Sequence, residues 1–93
     1  MISVQIAFAQ KLLVIDAADS RPVKDVAVYN DNKTRFGYTD LAGEFRIDAF
    51  NNSDYLNFQH PSYENIRLPL EEVEKNDYVV AIVYKTFNID EFV

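Results

Sequence analysis

His60 is the one histidine in this 93-residue chain, and imidazole is the side chain best suited to proton transfer near neutral pH. A catalytic histidine needs a nucleophile or a second titrating group within reach. Its sequence neighbours are Gln59, Pro61 and Ser62, and the chain has no G-x-S-x-G elbow. A structural histidine at a strand end is therefore expected. One histidine, no cysteine and scattered carboxylates do not make a zinc set. Asp40, Gly43 and Glu44 hint at a calcium loop, but the alternating D-x-D-x-D-G ligand spacing is absent. Glu71, Glu72, Glu74 and Asp77 cluster without a companion nucleophile or an apolar pocket to raise a pKa, which reads as a solvated face. Tyr29, Tyr38, Tyr55, Tyr63, Tyr78 and Tyr84 could stack against a sugar only if several shared one face. In a small β-protein they are expected to be half-buried packing residues. No catalytic set, metal or cofactor is expected.

The elements that position these residues are organised around Tyr38-Thr39-Asp40-Leu41-Ala42-Gly43-Glu44-Phe45-Arg46-Ile47. The stretch reads strand, tight turn, strand. Asp40 can fold its carboxylate back onto backbone N–H groups, and Gly43 can take a positive φ. Phe45 and Ile47 alternate with Glu44 and Arg46, giving one apolar and one wet face. Thr39, Asp40, Gly43 and Phe45 are thus the expected structural turn.

Around it, Lys11 to Asp16 predicts a short buried strand, and Val26 and Val28 share one face of a second within Val23–Asn30. Asp31-Asn32-Lys33 is turn chemistry, with a hairpin partner from Thr34 to Thr39. In Tyr55–His60, Leu56, Phe58 and His60 face one way and Tyr55, Asn57 and Gln59 the other. Tyr63–Leu68 resumes extended chain, and Leu70–Asp77 allows one short helical turn with an acidic first turn. Tyr78–Tyr84 is continuous and β-branched, the pattern of a strand buried on both faces rather than an edge. About seven short strands with regular turn signals predict an all-β sandwich or barrel.

Composition bounds the function. The chain is one domain in length, with 15 acidic against 9 basic residues and a net charge of −6. That balance disfavours phosphate-backbone binding, so no nucleic-acid partner is expected. No run reaches the ~20 apolar residues of a membrane-spanning helix. Residues 1–10 carry no charged side chain and end in Ala7-Phe8-Ala9 before Gln10. This matches the end of an export signal, the alternative being an edge strand.

The pieces Val14-x-Asp16, Arg21-Pro22-Val23-x-x-Val26-x-Val28, Gly37-x-Thr39-Asp40-x-x-Gly43-x-Phe45-x-Ile47 and Leu56-x-Phe58-x-His60-x-x-Tyr63 stand in an order that resembles the carboxypeptidase-regulatory-like domain. The resemblance covers residues 11–84, with Thr39-Asp40-x-x-Gly43-x-Phe45 its most specific piece. Members often place Gly before the first Val-x-Asp, where this chain has Lys11-Leu12-Leu13. The resemblance implies an immunoglobulin-like or prealbumin-like Greek-key sandwich of about seven strands. It also implies a context, because such domains often precede the plug of TonB-dependent outer-membrane receptors in Bacteroidetes-like bacteria.

In that context residues 85–93 are a C-terminal extension towards a plug. The segment Asp90, Glu91, Phe92 and Val93 resembles the stretch near the energy-coupling box, and it is the expected partner-binding segment. The expected function is a non-catalytic accessory or interaction domain, exported to the periplasm, whose partner is the rest of the receptor or the energy-coupling machinery. The alternative is a free-standing secreted module that binds carbohydrate or peptide. The transthyretin-like hydroxyisourate hydrolases rely on several histidines and a C-terminal Tyr-Arg-Gly-Ser motif, which this chain lacks.

Overall fold

Alternation along the strands sets the two layers. The computed structural model describes residues 10–47, 50 and 54–86. It contains β1 (Lys11–Asp16), β2 (Ala27–Asn30), β3 (Phe36–Tyr38), β4 (Glu44–Arg46), β5 (Tyr55–His60), β6 (Tyr63–Pro69), α1 (Leu70–Lys75) and β7 (Val79–Ile82). One sheet has the order β4-β1-β7 and the other β3-β2-β5-β6, an all-β sandwich of seven strands. β1 pairs antiparallel with β4 and parallel with β7, while every pairing in the second sheet is antiparallel.

Leu12 and Val14 of β1 and Val80 and Ile82 of β7 point inward from the first sheet. Val28 of β2 and Leu56 and Phe58 of β5 meet them from the second. Val23, Val26, Ile47 and Phe50 complete the core from the connections. Leu70 and Val73, three residues apart on one face of α1, are buried as well. Burying a Val or Leu side chain fully contributes about 1.5–3 kcal/mol, so these positions dominate the stability.

The two sheets approach each other at both pairs of edges. On one side Phe45 of β4 lies over Gly37 of β3. Gly37 sits opposite the inward-facing Val28, and a Cβ there would stand 2.6 Å from the Phe45 ring. The ring occupies the space that a side chain at position 37 would fill. On the other side Tyr63 and Tyr84 form an isolated antiparallel bridge between β6 and the chain just after β7.

At three backbone reversals the strand boundaries differ from the sequence reading. The second strand begins at Ala27 rather than Val23, because Asp25 has φ 60 and turns the chain. Pro22 instead makes a lone bridge to Ile15, and Val23 and Val26 are buried all the same. The hairpin partner shortens to Phe36–Tyr38. Lys33 has φ 58, and the Asn30 side chain caps the loop by accepting the Arg35 N–H at 3.0 Å and donating to Thr34 Oγ1 at 2.8 Å.

The Tyr78–Tyr84 run is not a strand buried on both faces. Only Val79–Ile82 forms β7, at a sheet edge, with Ala81 exposed. Tyr78 has φ 62 and starts the strand late. The strand on the far side of β7 belongs to the other sheet. No described helix is long and apolar enough to cross a membrane.

Candidate functional site

The turn that follows β3 is fixed by three polar devices. Asp40 accepts the Ala42 N–H at 3.0 Å and the Glu44 N–H at 2.9 Å, and the Gly43 N–H donates to the Asp40 carbonyl at 2.9 Å. Gly43 has φ 73 and its backbone is buried against the first strand. A Cβ there would stand 2.7 Å from the Val14 carbonyl oxygen. Thr39, 2% exposed, accepts the Val26 N–H at 2.9 Å and donates to the Val23 carbonyl at 2.7 Å. It replaces the strand pairing that the kink at Asp25 removes. Phe45 packs inward against Phe50, ring centroids 6.0 Å apart. These four residues therefore form one structural unit, joining the β3–β4 connection to β1 and to the chain before β2.

The chemistry available to a ligand lies elsewhere, on the outer face of the four-stranded sheet. Register places Tyr29 opposite Phe36 and Asn57, and Ala27 opposite Tyr38 and Gln59, all pointing away from the core. Tyr29 stacks on Phe36 at 5.7 Å, and Phe36 meets Tyr38 edge-on at 5.2 Å. Phe36 is 54% exposed and Tyr38 60%. The Tyr29 hydroxyl donates to Gln59 Oε1 at 3.2 Å.

The same face continues into an ionic clamp. Asp31 accepts Arg67 Nε at 3.0 Å and the Asn57 amide at 2.9 Å, and the Arg67 guanidinium lies 3.8 Å from the centre of the Tyr55 ring. The Arg67 guanidinium first, and the Asn57 amide second, hold the Asp31 carboxyl down at about 2.

A second cluster sits where the two sheets meet. The Tyr63 hydroxyl donates to Asp16 Oδ2 at 2.7 Å, and the Tyr63 ring meets His60 and Tyr84 edge-on at 5.2 and 5.3 Å. His60 Nδ1 accepts the Ser62 N–H at 3.0 Å. Open clefts of about 380 and 390 Å³ flank His60, one lined by Asp16, Arg21, Lys24 and Tyr63, the other by Phe36, Tyr38 and Lys85. The bond to Nδ1 serves the β5–β6 turn.

Three sequence expectations meet different outcomes. The half-buried role fits Tyr29, Tyr63 and Tyr78, but Tyr38, Tyr55 and Tyr84 are exposed. Glu71, Glu72, Glu74 and Asp77 are exposed on and after α1. Asp90, Glu91, Phe92 and Val93 lie outside the described residues, as do residues 1–9. Among the described residues no three His, Asp or Glu side chains converge as a metal site. Sequence reading missed the Asp16–Tyr63 and Asp31–Arg67 pairs. Their partners are 47 and 36 residues apart, and no local motif signals them. Compared with protein-family models, curated proteins and solved structures, the chain matches none.

Proposed function

We propose that this domain is a non-catalytic interaction module, the exported periplasmic accessory domain at the N-terminal side of a TonB-dependent outer-membrane nutrient receptor. One observation carries the interaction role. The side chains that could do chemistry are tied into the fold: Asp16 to Tyr63, Asp31 to Arg67 and Asn57, Asp40 to its own turn and His60 to Ser62. Groups held in this way order a scaffold. The receptor context rests on the resemblance of residues 11–84, and its partner is the rest of the receptor or the energy-coupling machinery.

Sequencing the source locus on both sides of the reading frame tests the receptor context. A frame that runs past Val93 into a plug and then many ~10-residue alternating strands is the expected result. A frame that closes after Val93 overturns it.

The outer sheet face favours a second reading, a free-standing module that binds carbohydrate or peptide. Tyr29, Phe36 and Tyr38 present exposed ring surface beside the amides of Asn57 and Gln59, the mixture that sugar rings and extended peptides use. Glycan-array and peptide screening with the wild type and Tyr38→Ala separates the two readings. Binding that Tyr38→Ala abolishes supports the module.

A further inference from the structure

We propose that the seam between β6 and β7 accepts an extended peptide segment by strand addition, the segment carrying apolar side chains at alternate positions and basic residues at its flanks. This goes beyond the receptor reading and holds for the domain tethered or alone.

The seam begins as a ladder that stops. The Lys85 N–H donates to the Ser62 carbonyl at 2.9 Å and the Glu64 N–H to the Val83 carbonyl at 2.8 Å. Beyond that rung β6 and β7 belong to different sheets and do not pair. The backbone groups they leave open follow from the pairings they do make. Tyr78 and Ile82 direct their carbonyls to β1, accepting the Leu13 and Ala17 N–H groups. Backbone groups alternate sides along a strand, so Ala81 directs its N–H and C=O into the seam. With the Val79 N–H donated to the Asn76 carbonyl and the Val83 carbonyl taken by Glu64, Ala81 offers the open donor and acceptor, and unpaired edge groups can template another strand.

The side chains along the seam are apolar and under-covered. Leu56 and Phe58 of β5 are 0% and 1% exposed, yet their β6 partners Leu68 and Ile66, on the same inward face, are only half-buried. A cleft of about 450 Å³ is lined by Ile66, Leu68, Val79 and Ala81, and a second of about 130 Å³ shares Ile66 and Ala81 with it. A strand laid in the seam would cover Ile66 and Leu68 with alternate apolar side chains.

Charge selects the flanks. Glu72 lines the wide cleft and Glu64 the narrow one, and among the described residues no lysine or arginine lines either. Basic residues at the ends of the segment meet these carboxylates, and acidic ones are repelled.

The test uses the full 93-residue chain and a synthetic nine-residue peptide with valines at three alternate positions and two lysines at each end. Amide hydrogen exchange and NMR titration give the readout. The expected result is that the Ala81 amide, fast to exchange in the free protein, slows at least about tenfold in saturating peptide, and that affinity falls as salt rises. The same peptide with glutamate flanks should bind more weakly. Glu72→Lys, on an exposed position, should weaken the lysine peptide about two- to fivefold. Ala81→Pro removes the open donor and should abolish binding. Should that variant fail to fold, N-methylating the peptide amides that face Ala81 is the equivalent loss.

Four outcomes overturn the proposal. The Ala81 amide does not slow in saturating peptide. The glutamate peptide binds as well as the lysine peptide. The amide is already protected in the free monomer, so a flank of the chain itself occupies the seam. Or protection without peptide grows with protein concentration, so a second copy does.

Discussion

The Tyr63 hydroxyl donates a 2.7 Å hydrogen bond to the Asp16 carboxylate, a side-chain tie between the edge strand of one sheet and the central strand of the other. The Tyr63 hydroxyl, and then the Ala18 N–H, hold the Asp16 carboxyl below its usual range, while Asp16 pushes the Tyr63 hydroxyl up to about 12. A depressed carboxyl stabilises the fold above its unfolded pKa and loses that contribution as pH falls through the folded value. A raised tyrosine stabilises below about 10 and loses it as pH climbs through about 12. Tyr63→Phe should cost about 1 kcal/mol at neutral pH. It should also flatten both the acid and the alkaline limbs of stability, read from urea denaturation across pH. Unchanged limbs would refute the tie.

Asp31 gives a separate acid signature. Held at about 2 by Arg67 and Asn57, its carboxylate adds stability above its ordinary value of 3.8 and loses it as pH falls through about 2. Asp31→Asn should therefore lower stability at pH 6 and shift it little at pH 2. The difference is measured by circular dichroism melts at the two pH values.

Thr39 separates hydrogen bonding from volume. Thr39→Val keeps the shape but strands the Val26 N–H and the Val23 carbonyl in a buried site. Leaving two such groups unsatisfied costs about 2–6 kcal/mol. Thr39→Ser keeps the hydroxyl and should lose about 1 kcal/mol or less, the value of one buried methyl. A ranking in which serine is the worse variant would show that packing, not the hydroxyl, fixes this corner.

Gly43→Ala tests the turn. The new Cβ would meet the Val14 carbonyl oxygen at 2.7 Å and the Pro22 Cβ at 2.9 Å, on a backbone with φ 73. Left-handed strain of about 1–2 kcal/mol and overpacking of about 1–3 kcal/mol add, and Gly43→Val is worse. An unchanged melting temperature would disprove the assignment.

Local sequence carried much of this. Asp40 and Gly43 announce their turn because an Asx carboxylate and a positive φ are properties of single residues. Alternation in Val26–Val28, Leu56–Phe58 and Phe45–Ile47 marked the inward faces, because side-chain direction along a strand has a period of two. Where a backbone reversal intervened, at Asp25, Lys33 and Tyr78, strand ends were misplaced. Non-glycine residues at positive φ leave no distinctive pattern.

The sequence by itself determined an all-β chain, the Asp40–Gly43 turn and the apolar faces of β2, β4 and β5, since these depend on neighbours a few residues apart. Only the tertiary structure decided which strands meet. β1 lies parallel to β7, which leaves β7 at an edge although its composition suggests an interior strand. Register across β3, β2 and β5 gathers Tyr29, Phe36, Tyr38 and Gln59 on one face, and the arrest of the β6–β7 ladder opens the seam. Each of these depends on pairing between segments distant in the chain. The free energy of that pairing comes from the whole core and is not encoded in any one stretch.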